Sequence, residues 1–472
     1  MKKWNIFYII LFFAICLVPS LGMLVTDPEV SAENRELAAF PSLRTEEGWN
    51  SQWLPQAGDY FQEHFAFRNE LVTANALLNG KILGVSTAEG VIQGTDNWLY
   101  YKDSLEDYQG TNLLSDRSLF NIAHSLSMMQ EYLEGKGVKF LFTVAPNKNS
   151  LYGEHMPYYY QQKVTEENNL ARLKPVLEEE GVAYTDLYRT LKDQKEILYH
   201  ERDSHWNNKG AALAADTLLT ALEKEHMPYE EEPYEEKVDF EGDLDKMLYP
   251  LAMTPETEIY YDRQTTYAYV GEVESNFDPR ITTVNPVKTG SLVMYRDSFG
   301  NAILPFMADA YANAYFSRGV PYQLMDVEVN AADTVVVERA ERFLPDMAQN
   351  PPVMEAPLVT LTQEAEETAM DGAKEVQMKT LGPNVQISGL VKDEYLENRS
   401  RIYLRINGKA IYEAFPKDVE NGEEICDRGF FLQLPAEKLI PGAERNTVEV
   451  LTETEGICHV IYKNTLKEEM TQ

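Results

Sequence analysis

Apolar and polar positions change rhythm three times along this chain. Residues 4–25 form an apolar run with no Asp, Glu, Lys or Arg, preceded by Lys2 and Lys3. About 20 helical residues at roughly 1.5 Å each cross a bilayer core of roughly 30 Å, so residues 1–25 predict a signal anchor or transmembrane helix. The paired lysines stay inside, which sends the rest of the chain outside the cytoplasm. Ser20-Leu21-Gly22 leaves cleavage and a secreted form as the alternative. Residues 26–90 follow as a juxtamembrane segment. Its stretch 60–68 (YFQEHFAFR), continued by Leu71, Val72, Ala76, Leu77 and Leu78, has the mixed spacing of a partly amphipathic helix.

From residue 91 to 348, β-rich runs and 3.6-period runs alternate, which predicts an α/β domain with a mainly parallel sheet. Residues 91–101 read as a hairpin turning at Gly94-Thr95-Asp96-Asn97. A helix over 115–134 has Ser115 as N-cap and Gly135 as stop, and 139–145 (KFLFTVA) is a buried strand closed by Pro146. Helices are expected over 166–180 and 208–224, a short strand over 181–187, and a solvated acidic loop over 230–236. Residues 291–295 form a strand leading through Asp297-Ser298 into a helix to about 312, with further strands at 313–317 and 334–337. Residues 349–374, acidic and containing prolines, read as a linker. Beyond it, residues 375–472 switch to period-two alternation with an Asn407-Gly408 turn, predicting a small all-β, sandwich-like domain, a candidate glycan-binding module that carries no sequence feature specific for sugars. There is no internal repeat.

Composition narrows the function. The 472 residues carry 76 Asp+Glu against 42 Lys+Arg, a formal charge of −34. Nucleic acid, held mainly by Lys and Arg against phosphate, is excluded as a partner. The soluble part holds only Cys426 and Cys458, which allows either one disulfide or two buried thiols. Without a CxxC or HExxH motif, no metal is expected.

Two short motifs carry chemistry. Asp203-Ser204-His205-Trp206 precedes a helix, and a carboxylate two residues from an imidazole supplies the base and orienting acid that a nucleophilic serine needs. Asp297-Ser298-Phe299 ends an apolar strand, where open α/β sheets place their chemistry and where backbone N–H groups of the following helix face a developing oxyanion. Each motif alone also reads as a plain helix N-cap. Lys148, at a strand end, and Trp206, an aromatic face, are candidate substrate contacts. Glu338 and Arg342 follow another strand and either line the pocket or form a structural ion pair.

Together with Glu33 to Leu37, Phe40-Pro41, residues 60–68 and 94–101, Pro146-Asn147-Lys148, Tyr152, residues 295–299 (YRDSF) and Glu341-Arg342, these motifs make the chain resemble a permuted SGNH-hydrolase-like family: the alginate O-acetyltransferases of the AlgJ and AlgX type and their DHHW-type relatives. In ordinary SGNH members the serine block precedes the Asp-His block; here the order is reversed. The resemblance implies a three-layer fold with Ser298 as nucleophile, His205 as general base and acid, Asp203 as its orienting carboxylate and the Ser298 N–H as an oxyanion donor. No Gly-x-Asn-Asp block supplies a side-chain donor, and Arg296 stands where ordinary members have Gly. The resemblance further implies O-acetyl transfer onto a cell-surface or secreted polysaccharide without a cofactor, with a membrane-bound O-acyltransferase as acetyl supplier. A surface esterase with the same triad and a non-catalytic glycan-binding scaffold are the other readings. As general base, His205 gives a rate that falls below about pH 6. The acidity implies an acceptor that is neutral or cationic, or charge placed away from the groove.

Overall fold

The computed structural model describes residues 3–23, 37–45, 48–229, 232–361, 363–368, 370–422, 424–440, 446–454, 456–466 and 468–470. The sequence positions 33–36 and the acidic pair Glu230 and Glu231 lie outside the described residues.

Seven strands make the central sheet, in the order Tyr184–Thr185, Lys139–Ala145, Thr334–Ala340, Ser291–Tyr295, Asn313–Ser317, Arg280–Val284, Ala268–Tyr269. The first five are parallel, and Arg280–Val284 is antiparallel to both its neighbours. Side chains alternate across this sheet, and both faces are covered. Leu141, Leu292, Met294 and Val336 pack against the helices Asn208–Ala221 and Gly300–Ala310. Phe142, Val293, Tyr295 and Val337 pack against Asp116–Glu134 and Asn169–Glu179. The result is a three-layer α/β domain whose parallel strands all end on one edge.

The Asp116–Glu134 helix starts because the Ser115 side chain accepts the Ser118 N–H, and it stops at Gly135. Asn207 caps Asn208–Ala221 in the same way, accepting from Gly210. The segment before the domain is two helices, Trp53–His64 and Arg68–Leu83, because Phe67 adopts a left-handed backbone (φ 65°) between them. The N-terminal helix Lys3–Gly22 is exposed, and its Trp4–Gly22 stretch has a mean hydropathy of 2.1.

Two expectations change. From Tyr234 onward the acidic stretch is part of a ribbon, with Tyr234–Phe240 pairing antiparallel with Glu256–Tyr261. Residues 349–374 are no free tether either, since Leu358–Val359 pairs with Ala410–Asn421 and Glu366–Glu367 with Ile457–Leu466. In the C-terminal β-domain, Ile402–Ile406 and Ala410–Asn421 meet at Asn407-Gly408, both at positive φ as a tight hairpin requires. Ala410–Asn421 pairs with Ile402–Ile406 over its first half and with Glu424–Pro435 over its second, passing between two sheet halves that share one core. Cys426 and Cys458 are both free thiols.

The β-domain is fastened to the Asp116–Glu134 helix. Asp418 accepts from Ser118 Oγ at 2.6 Å and from Asn121 Nδ2 at 2.7 Å. His124 lies between Glu180 at 2.8 Å and Glu413 at 3.1 Å, while Arg117 donates to the Ser400 carbonyl at 2.6 Å.

Candidate active site

The Ser291–Tyr295 strand delivers Ser298 to the carboxyl edge of the sheet, where it is half-buried. A ring of buried polar groups fixes the turn beneath it. Asp297 accepts the Phe299 N–H at 2.9 Å with one carboxylate oxygen and the Ala340 N–H at 2.6 Å with the other. Its own N–H donates to Glu338 Oε2 at 3.1 Å. Arg296, 2% exposed, donates to Asn301 Oδ1 and to the carbonyls of Asn276 and Asp278, each at 3.0 Å. A glycine at 296 has no side chain to make these bonds, so Arg296 ties the 276–278 loop to the turn. Among the described residues the Ser298 N–H has no protein acceptor.

The Asp-His loop approaches from the other side. It leaves the Tyr199↔Trp206 bridge and returns His205 over the turn, where Nε2 lies 2.9 Å from Ser298 Oγ. Asp203 Oδ1 holds His205 twice, at 2.8 Å from Nδ1 and at 2.8 Å from the backbone N–H. Asp203, His205 and Ser298, from segments 93 residues apart, thus form one continuous hydrogen-bonded line. Such a line can move a proton from a hydroxyl to an imidazole whose opposite nitrogen is fixed by a carboxylate.

Electrostatics follow from this packing. Burial alone would raise Asp203, but the facing His205 outweighs it and holds the carboxyl well below the usual range. Burial likewise pushes His205 down, and the Asp203 charge and hydrogen bond outweigh it, so the imidazole titrates above its ordinary value. Glu338 is raised well above the usual carboxylate range by burial and then by the Asp297 charge beside it.

The weaker candidates separate. Lys148 is 4% exposed, and its ammonium is engaged by the chain itself: it donates to the carbonyls of His200 (3.0 Å), Glu201 (2.9 Å) and Asp203 (2.6 Å). It gathers the Asp-His loop from beneath, and burial lowers it to about 8. Glu256 accepts the N–H groups of Glu201 and Arg202 from the loop's outer side. Trp206, 2% exposed, is no sugar platform; its indole N–H donates to the Phe299 carbonyl and its ring packs edge-on against Phe299. Glu338 is wholly buried beneath the serine turn and does not line a pocket. Arg342 remains half-buried at the site, its guanidinium 5.3 Å from the Tyr101 ring and 5.4 Å from the Phe299 ring. Among the described residues its Nε has no hydrogen-bond partner, and its charge acts on His205.

One residue at the site has no sequence signal. Asp243 lies 40 positions beyond Asp203 in no motif, yet its N–H donates to Asp203 Oδ2 at 2.7 Å and its carboxylate lies 3.5 Å from His205 Nδ1. Only tertiary packing brings it there.

Residues 91–279 match the family described as SGNH hydrolase-like domain, acetyltransferase AlgX. This stretch contains Lys148, Asp203, His205 and Asp243, and ends before Ser298. Over 266 residues the chain is 24% identical to the probable alginate O-acetylase AlgJ of Pseudomonas syringae pv. tomato, covering 52% of this chain and 61% of that protein, less than two thirds of its length. Over 329 residues it is 21% identical to the probable alginate O-acetylase AlgJ of Pseudomonas fluorescens, covering 63% and 78%. Among solved structures, Bacillus cereus PatB1 is similar at a TM-score of 0.44, with 16% identity over 54% of this chain and 96% of that one.

Proposed function

We propose that this SGNH hydrolase-like chain is an O-acetyltransferase that adds acetyl groups to a cell-surface or secreted polysaccharide through an acyl-enzyme on Ser298. The observation that carries the reading is the line Ser298 Oγ, His205 Nε2, His205 Nδ1, Asp203 Oδ1, with contacts of 2.9 and 2.8 Å, at the carboxyl edge of a parallel sheet. Ser298 attacks the acetyl carbonyl of the donor while His205 takes its proton, and His205 returns that proton to the departing group. The unpaired Ser298 N–H faces the developing oxyanion. In the second half, His205 deprotonates a sugar hydroxyl, which attacks the acetyl-serine, and the proton passes back to Ser298. Asp203 keeps Nδ1 protonated and stabilises the imidazolium in both halves.

Supporting the choice of acetyl transfer is the match of residues 91–279 to an acetyltransferase family. The exposed Trp4–Gly22 helix fits an anchor that leaves the domain outside the cytoplasm, supplied with acetyl groups by a membrane-bound O-acyltransferase. Arg342, half-buried beside Phe299 and with no partner for its Nε among the described residues, is a cation available to a polar group of the acceptor.

The test uses the full chain in detergent, an activated acetyl ester, and an oligosaccharide acceptor present or absent, with Ser298→Ala as reference. Acetylated sugar lost by at least about 10³-fold in Ser298→Ala is the expected result. Free acetate with no sugar ester replaces the transferase reading with an esterase. Turnover that is independent of Ser298 removes both.

A further inference from the structure

The neighbourhood of His205 contains more carboxylate than a Ser-His-Asp line requires. Asp243 opens the Asp243–Leu248 helix, and the backbone before it lies directly on the Asp-His loop. A Cβ at Gly242 would collide with the backbone carbonyl of Arg202, so only glycine allows this approach. The docked segment is then fixed by three backbone and ionic contacts: Asp245 N–H donates to Arg202 O at 3.1 Å, Arg202 pairs with the Asp245 carboxylate, and Asp243 N–H donates to Asp203 Oδ2 at 2.7 Å. The Asp243 side chain reaches the base by two routes. It accepts from Ser204 N–H at 2.8 Å and Ser204 Oγ–H at 2.5 Å, and that same Ser204 Oγ is 3.1 Å from His205 Nδ1. Directly, Asp243 Oδ2 is 3.5 Å from His205 Nδ1.

We propose that Asp243 is a positioning residue of this site: with Ser204 it fixes the plane of the His205 imidazole and places a second negative charge on its Nδ1 side, so that two carboxylates stabilise the imidazolium. The inference rests on the reading of His205 as base. The Asp203 carboxylate already takes the short Nδ1 bond, which leaves Asp243 to act through Ser204 and through its field. Burial and the Asp203 charge raise Asp243 to about 6, and its side chain is still 38% exposed, so water screens part of the interaction. The charged and titratable groups facing this pair are Asp203 on the loop, Arg342 from the turn after the Thr334–Ala340 strand, Tyr101 from the hairpin and Lys148 beneath.

The experiment reads His205 directly. The full chain in detergent is treated with diethyl pyrocarbonate, which modifies neutral imidazole, across about pH 5 to 9; the His205 peptide is followed by mass spectrometry and kcat/KM for an acetyl ester is measured in parallel. In Asp243→Asn the modification midpoint is expected to move down by about 0.5–1 pH unit, with the acid limb of kcat/KM following it. Ser204→Ala, which keeps both carboxylates, is expected to lower kcat several-fold with KM unchanged. An unmoved midpoint in Asp243→Asn overturns the proposal whatever the rate does. Should that variant fail to fold, unchanged kcat in Ser204→Ala overturns it instead. If the wild type itself turns over no acetyl ester, the acyl-enzyme reading falls, while the modification profile still decides Asp243.

Discussion

Replacing Lys148 by Met takes the donor from the buried carbonyls of His200 and Asp203, each left unsatisfied at a cost of roughly 1–3 kcal/mol, while the Glu201 carbonyl keeps the Leu99 N–H. Lys148→Met is therefore expected to lower the thermal midpoint and to reduce kcat by about 10²-fold or more, because a misplacement near 1 Å of the Asp-His loop carries that penalty. Normal kcat in a folded variant counts against the loop-gathering role. The base itself sets the pH profile. As the proposed base, His205 would work when neutral; it titrates above its ordinary value near 6.5, so activity present at higher pH is expected to be lost as the pH falls through that raised value. The acid limb of kcat/KM is expected above about pH 6.5, the ordinary imidazole value, and so above the fall at about pH 6 that the sequence alone suggests; a limb below 6 contradicts the Asp203 contact. At this scale the sequence displays groups whose partners are side chains two residues away, such as Asp203 and His205. Lys148 looked like a substrate contact because its acceptors are backbone carbonyls, which no residue letter records, and Asp243 needed the whole fold to arrive.

Elements with a strong hydrophobic rhythm were legible to the residue: Ser291–Tyr295 and Asn313–Ser317 stand where the apolar runs do, and the Asp116–Glu134 helix begins and ends at its cap and glycine. Tyr234–Phe240 was not legible, because a ribbon exposed on nearly every residue keeps its charges in water and shows no apolar alternation. Nor did the polar positions of Asp116–Glu134 reveal that one of its faces grips another domain. Asp418→Ala leaves the Ser118 hydroxyl without its acceptor inside that joint and the Asn121 amide with the Asp427 carbonyl alone. Limited proteolysis is expected to release the β-domain faster than in wild type, while ester turnover falls less than in Lys148→Met. Equal release rates count against Asp418 as the fastening.

For the whole molecule, part of the charge of −34 acquires a location. The acidic Tyr234–Phe240 strand pairs with Glu256–Tyr261, and Glu256 itself holds the Asp-His loop, so this share of the acidity lies beside the candidate site. An anionic oligosaccharide is expected to show a KM that falls as ionic strength rises from about 0.01 to 0.15 M, while the Debye length shrinks from roughly 30 to 8 Å; a neutral one keeps its KM. The same salt response for both acceptors removes the long-range argument. The order of strands has a consequence for how the molecule comes into being. Thr334–Ala340 lies between Lys139–Ala145 and Ser291–Tyr295, so the last strand of this sheet to be synthesised fills its middle. Until residue 340 has emerged, two long hydrophobic strand edges stand open, Asp297 lacks its Ala340 partner, and a nascent chain that already carries every reacting group is at its most exposed to mispairing with a neighbour.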